Sequence, residues 1–261
     1  MNNPEPTLSG GNNNEFREES SNHWTHLVGV IFALSCIWAV WPAVSLGWQW
    51  TMGVLFFIVG MFLMFLSSTI YHWLPEGRTR RILRKCDHIS IYVMIACSYT
   101  PICIAVVGGW LGWTIFGILW TVVLCGSVYK IIALGRYPRL SLALYLAMGW
   151  SGVFIAKPVF DHLSMASVLL ILTEGVMYTA GTYFFARDAQ KHYHAVWHVF
   201  VLLGAIAHWT AILLVIFDRV ESLSPRPPPK GGSPCIQGGN LRTSHPIAVC
   251  LHLGRGWRLR A

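Results

Sequence analysis

Charged residues are scarce in this chain. Only 11% of its 261 residues are Asp, Glu, Lys or Arg, whereas 54% are hydrophobic. A soluble globular domain carries about 25% charged residues. The apolar residues also lie in runs of roughly 20, which is the length that an α-helix needs to cross a bilayer. The scarcity of charge therefore argues against a soluble fold and predicts a multi-pass membrane protein.

The sequence also lacks a cysteine pair of the CxxC type. Its seven cysteines are scattered, and those within apolar runs are expected to be small packing residues. This pattern argues against a disulfide framework and against a cysteine-based zinc site. Residues 1–20 are polar and contain no apolar centre, so we expect no cleavable signal peptide there.

Seven apolar segments predict an all-α membrane protein, a seven-transmembrane helix bundle. We expect residues 1–20 to be a polar, disordered N-terminus and residues 21–218 to form the membrane domain. Residues 219–261 are rich in Pro, Gly and Arg and are expected to be a disordered tail. The predicted spans cover residues 27–46, 50–72, 88–107, 111–132, 141–157, 165–185 and 195–216.

Basic residues lie mostly on one side of the predicted bundle. The connections on the opposite side offer only Lys157, and Lys and Arg mark the cytoplasmic face. The sequence therefore predicts a cytoplasmic N-terminus in a cell membrane, and the net charge of +8 suggests lipid headgroups rather than nucleic acid. The connections after the second, fourth and sixth spans carry Arg78, Arg80, Arg81, Arg84, Lys85, Arg136, Arg139, Arg187 and Lys191.

Three predicted helices bring polar side chains to the same, cytoplasmic depth. Ser68 and His72 lie near the end of the second span, and Asp87 opens the third. His194 and His198 open the seventh span, and their i, i+4 spacing places them on one helix face. Such agreement between separate helices rarely arises by chance, although a single histidine at a membrane interface is usually an interfacial belt residue.

The chemistry of these side chains predicts a zinc site. His72, His194 and His198 could hold Zn²⁺ and leave a fourth coordination position open, as catalytic rather than structural zinc sites do. Zinc in such a site lowers the pKa of a bound water to about 7. Asp87 could accept the proton of that water or orient a histidine, and Ser68 could hydrogen-bond the water or a developing oxyanion.

Other ionisable residues within the spans are weaker candidates. His26 lies on the same face as the predicted site and is not excluded from it, whereas His88 and His192 are expected to point away. His208 lies about 21 Å along the helix from the start of the histidine pair. Glu174, if buried, is expected to be protonated or paired with a polar neighbour, outside the metal site.

The motifs resemble the hemolysin III group of the progestin and adiponectin receptor family. The resemblance covers roughly residues 18–217. Ser68 to His72 resembles the family's Ser-xxx-His, Lys85 to His88 its Asp-containing start of the third helix, and His194 to His198 its His-xxx-His. Glu19, Asn22, Thr25 and His26 resemble the N-terminal signature of the bacterial-type members.

The resemblance implies an intramembrane zinc bound by His72, His194 and His198, with Ser68 and Asp87 lining the zinc-bound water. Relatives of this group suggest hydrolysis of a lipid amide, so a membrane lipid is the expected substrate or ligand. Two functions stay open at this point. The protein is either a zinc-dependent lipid hydrolase, or a pore-forming (cytolytic) or receptor-type protein in which zinc only joins two helices.

Overall fold

The computed structural model describes the backbone of residues 9–223 and the side chains from residue 20 onwards. Within this part of the chain, all regular structure is helical, and seven helical segments are long and apolar enough to cross a membrane. The predicted seven-helix membrane bundle is therefore confirmed. In chain order, spans 1 to 7 are Ser20–Ser45, Trp48–Trp73, Arg78–Val107, Gly109–Ala133, Pro138–His162, Met165–Phe185 and Tyr193–Leu223.

Three of the spans contain changes of helix type. Span 1 belongs to an α-helix over Ser9–Ser35, followed by a 3₁₀ turn over Cys36–Ala39 and a short α-helix over Val40–Ser45. Span 3 is α-helical over Arg78–Pro101 and π-helical over Ile102–Val107. Span 5 consists of α-helices over Pro138–Gly149 and Ala156–His162, joined by a 3₁₀ segment over Trp150–Ile155.

Some helix ends differ from the sequence-based expectation. The backbone of residues 9–20 is helical, where we expected a disordered segment, and the last span continues to Leu223. The helix of span 3 begins at Arg78 rather than near residue 88, since the Lys and Arg residues that precede the apolar run are good helix formers. The tail prediction for residues 224–261 lies outside the described residues.

The earlier start of span 3 changes the position of Asp87. The sequence predicted that Asp87 lies in the first turn of the helix. In the structure, Asp87 lies about two and a half turns after Arg78. The basic turns before it are mostly exposed. Asp87 therefore lies where span 3 enters the packed part of the bundle, which is the depth that the predicted site requires.

The bundle is unevenly packed. More than half of the most apolar stretch of spans 2, 3 and 7 is buried (56%, 67% and 56%), whereas only 11% of that of span 6 is. The break in span 5 is held by Tyr99 of span 3, whose hydroxyl donates to the Gly149 carbonyl and accepts from the Gly152 N–H at 2.9 Å. Loose packing of spans 5 and 6 leaves a cavity beside the well-packed centre.

Candidate metal centre

Three histidines from two spans meet at one end of the bundle. His72 ends span 2, and His194 and His198 lie on one face of the first turns of span 7. One potential ligand atom from each of the three rings lies within 4.8 Å of the other two. His72 and His198 are buried, and His194 is half-buried. The three histidines that the sequence predicted as ligands can therefore hold one metal ion.

Contacts with span 1 indicate which nitrogen of His198 carries the proton. The Nδ1 atom lies 3.3 Å from the Asn22 carbonyl oxygen and 3.2 Å from the Thr25 hydroxyl. Thr25 donates its own proton to the same carbonyl at 2.9 Å. Because both partners act as acceptors here, Nδ1 carries the proton and Nε2 keeps its lone pair. Such a hydrogen bond to a backbone carbonyl orients many metal-binding histidines.

This protonation pattern fits the donor set to a metal. Neutral imidazole is a ligand for zinc and for copper, iron and nickel. Three imidazole nitrogens that leave further coordination positions open are characteristic of catalytic zinc sites.

His26 of span 1 is part of the same assembly. Its ring stacks on that of His198, with 3.6 Å between the ring centroids and 25° between the planes, and it contacts the Phe65 ring edge-on. The ring is 4% exposed, and neither nitrogen has a hydrogen-bond partner among the described residues. The sequence left His26 as an open candidate, and the structure places it against a predicted ligand.

Asp87 and Ser68 lie beside the histidines in one shared cavity. Asp87 is half-buried and interacts electrostatically with His72. Ser68 is buried and lies one turn before His72 on span 2. The structure therefore brings Ser68, Asp87 and the histidine group together from spans 2, 3 and 7. His88, which we expected to point away, lines this cavity as well.

The cavity extends from the histidines into the apolar part of the bundle. Its volume is about 300 Å³, at the lower end of the range of small-molecule sites. Apolar side chains, mainly of spans 3, 5 and 6, form most of its walls. The end of the cavity lined by His194 and Asp87 is polar, and the remaining walls could accommodate a hydrocarbon chain.

A second polar group lines the same cavity. The Oε2 atom of Glu174 in span 6 lies 2.7 Å from the Nδ1 atom of His208 in span 7. Both residues are buried and both line the cavity. The structure thus gives Glu174 the polar neighbour that we expected and keeps it out of the three-histidine group.

Sequence reasoning missed the role of span 1. The Asn22 contribution is a backbone carbonyl, which leaves no trace in the side-chain pattern. Thr25 and His26 had a signal, since both belong to the N-terminal signature Asn22-xx-Thr25-His26. No rule of spacing connects that signature to His198, which lies more than 170 residues later in the chain.

The sequence matches the model of a known family over most of its length. The family is described as Haemolysin-III related, and the match covers residues 14–209. The match includes each residue placed at the metal centre.

Individual relatives agree with this match. The chain is 36% identical to a Hemolysin-3 homolog of Bacillus subtilis (strain 168), over 76% of this chain and 93% of the relative. It is 31% identical to Hemolysin-3 of Bacillus cereus, over 78% of this chain and 94% of the relative.

A plant protein extends the likeness to the wider family. It is the heptahelical transmembrane protein ADIPOR1 of Oryza sativa subsp. japonica, which is 30% identical over 66% of this chain and 52% of its own length. Together with the seven spans and the three-histidine group, these matches show that the chain belongs to the hemolysin III group of the progestin and adiponectin receptor family.

Proposed function

We propose that the protein is a zinc-dependent hydrolase that cleaves an amide or ester bond of a membrane lipid. The observation that carries this proposal is the position of the three-histidine group at one end of an apolar cavity, with Asp87 and Ser68 beside it. Metal ligands, a carboxylate and space for a hydrocarbon chain are the components that such a reaction needs.

The proposed reaction divides the work among residues of three spans. A zinc ion on His72, His194 and His198 would supply an activated water and polarise the lipid carbonyl. The Asp87 carboxylate accepts a proton from the water that attacks the carbonyl carbon. Asp87 then passes this proton to the leaving amine or alcohol as the C–N or C–O bond breaks, so that a carboxylic acid and an amine or alcohol are formed.

In this mechanism, two side chains would stabilise the negative charge on the carbonyl oxygen. Ser68 can donate a hydrogen bond from span 2. His26 can donate from span 1, because a neutral imidazole carries one N–H and no described residue accepts from it. Donors aimed at the developing oxyanion supply a large part of the rate enhancement in acyl transfer.

The cavity supports a hydrolase better than a pore. The Bacillus cereus relative carries the name Hemolysin-3, which suggests lysis by a channel. A water-filled channel needs polar side chains along its length. The cavity walls are instead mostly apolar, which suits a lipid chain. We place the enzyme in the cell membrane, with its N-terminus in the cytoplasm.

Turnover of lipids by the purified protein tests the proposal. The protein in detergent or nanodiscs would be given a panel of lipid amides and esters, and released carboxylic acids would be measured by mass spectrometry. We expect hydrolysis of at least one class, loss of hydrolysis with a chelator, and recovery with added Zn²⁺. A folded, zinc-loaded protein that cleaves no lipid of a broad panel would contradict the proposal and favour a receptor or pore.

A further inference from the structure

The Glu174–His208 pair lies in two facing helices whose next turns also contact each other. Tyr178 lies one turn after Glu174 on span 6, and Gly204 lies one turn before His208 on span 7, so each pair shares a helix face. The Tyr178 ring packs directly on Gly204, where an added Cβ would lie 2.3 Å from the ring. Both contacts face the cavity, since Glu174, Tyr178 and His208 line it.

Several buried polar atoms in this region lack a hydrogen-bond partner among the described residues. The Tyr178 hydroxyl oxygen and the His208 Nε2 have none, and the His208 Nδ1 has only its ion-pair contact with Glu174. The His208 ring is 1% exposed and packs edge-on against Phe57, at 4.8 Å between the centroids. A buried polar group without a partner destabilises the folded protein. Their position on the cavity wall indicates that a bound molecule supplies the missing partner.

The two polar ends of the cavity are far apart. His198 and His208 lie on the same helix, ten residues apart in number, which corresponds to about 15 Å along the axis. A lipid that places its carbonyl at the histidines would therefore extend its hydrocarbon chain past Glu174. A chain of hydrocarbon alone would leave the Tyr178 hydroxyl and the His208 Nε2 without partners.

We infer that Glu174, His208 and Tyr178 form a second binding site, which takes a hydroxyl group carried on the hydrocarbon chain of the lipid. A hydroxyl both donates and accepts, so it can satisfy the phenol and the imidazole together. It is also neutral, and it enters the bilayer at a much lower desolvation cost than a carboxylate or ammonium group. The inference rests on the proposed function only in placing the lipid carbonyl at the histidine end.

Binding of matched fatty acids tests the second site without requiring hydrolysis. The probes are a plain fatty acid and a series of the same length with one hydroxyl moved along the chain, each used to displace a fluorescent fatty acid from the zinc-loaded protein. One position is expected to bind about three- to tenfold more tightly than the plain chain, as one neutral hydrogen bond allows. Positions nearer the carboxyl group are expected to show no gain.

Tyr178→Phe removes only the phenol oxygen, so it keeps the packing on Gly204 and the Glu174–His208 contact. We expect this variant to bind the plain chain like wild type and to lose most of the preference for the hydroxylated chain. Tyr183→Phe is the matched control, because Tyr183 is on the same span, is 52% exposed and does not line the cavity. It should keep the full preference.

Three results would overturn the inference. They are equal affinity for all chains, a preference that Tyr178→Phe leaves intact, and no binding of any fatty acid by the folded protein. Tighter binding of a chain that carries an amine in place of the hydroxyl would also contradict the inference, because the site would then select a cation. A hydroxyl preference together with no lipid cleavage would retain the second site and contradict only the proposed hydrolase.

Discussion

The two nitrogens of the His198 ring have different partners. Nδ1 is held by the Asn22 carbonyl and the Thr25 hydroxyl, so Nε2 is left for the group formed with His72 and His194. One face of the ring is covered by the His26 ring, which stacks on it. Atoms of span 1 thus orient the His198 ring and favour the proton on Nδ1.

Asp87 is the residue whose substitution best separates chemistry from metal binding. Asp87→Asn keeps the shape of the side chain but removes the general base, so turnover should fall roughly 10²–10⁴-fold. Zinc binding should weaken by no more than about 10–100-fold through the lost orienting contact. The measurement is lipid hydrolysis at matched zinc occupancy. Asp161→Asn is the control, because Asp161 is exposed and lies at the far end of span 5. Equal rates for wild type and Asp87→Asn would remove Asp87 from the mechanism.

His26 can be tested with two substitutions that keep different properties. His26→Phe keeps an aromatic ring against His198 but cannot donate a hydrogen bond, so turnover should fall roughly 10²–10³-fold, as when one oxyanion donor is removed. His26→Gln keeps a donor and should retain more activity. Zinc content and thermal unfolding should change little in His26→Phe. If the two variants are equally impaired, or if His26→Phe loses zinc, the ring serves packing rather than donation.

At the scale of helices, span 1 contacts the candidate metal centre that spans 2 and 7 form. Its contribution is directed at His198 and consists of one carbonyl, one hydroxyl and one stacked ring. Further along span 1, Val30, Ala33, Cys36, Ala39 and Ala43 are buried in the core of the bundle. Span 1 therefore contributes both to the packing of the bundle and to the site.

Thr25→Val tests the part that span 1 plays in metal binding. Valine has a similar shape but cannot accept the Nδ1 proton, so zinc affinity, measured by competition with a chromogenic chelator, should fall about tenfold. The Asn22 carbonyl remains as a partner, which limits the loss. Thr114→Val is the control, since the Thr114 hydroxyl is exposed and bonds only to its own helix. Unchanged affinity in Thr25→Val would show that the hydroxyl contact does not orient His198.

The helices themselves were predictable because the physics of a bilayer requires about 20 apolar residues for each span. All seven spans were found, and the His72, His194 and His198 group followed from periodicity and topology. The start of span 3 was misplaced because the bilayer limits the apolar run but not the helix, which continues through Arg78 to Lys85. Contacts such as that of His26 with His198 depend on the angles at which helices pack. These angles cannot be predicted from a single sequence.

At the scale of the whole molecule, the site depends on the alternating directions in which successive spans cross the membrane. Spans 2 and 7 meet at the histidines only because span 2 ends and span 7 begins at the same side of the bundle. Spans 3 and 7 both begin at that side, so Asp87 and His194 lie there as well. The cavity then leads from this side past loosely packed spans 5 and 6 to Glu174.

Topology can be tested with reporter fusions at the N-terminus and after residue 223. Seven spans place these two positions on opposite sides, and the basic connections predict that the N-terminal reporter is cytoplasmic. A fusion after residue 74, between spans 2 and 3, should report the same side as the N-terminus. Reports from one side for both ends would contradict the span count and the convergence of the histidines with it.

Metal content of the purified protein tests the central claim most directly. Elemental analysis of wild type, purified without added metal and without chelator, should find about one zinc ion per chain, as expected of a three-histidine site. His194→Ala should reduce this to near zero while the protein still inserts and stays folded. Wild type that contains no transition metal, or His194→Ala that keeps its zinc, would contradict the account.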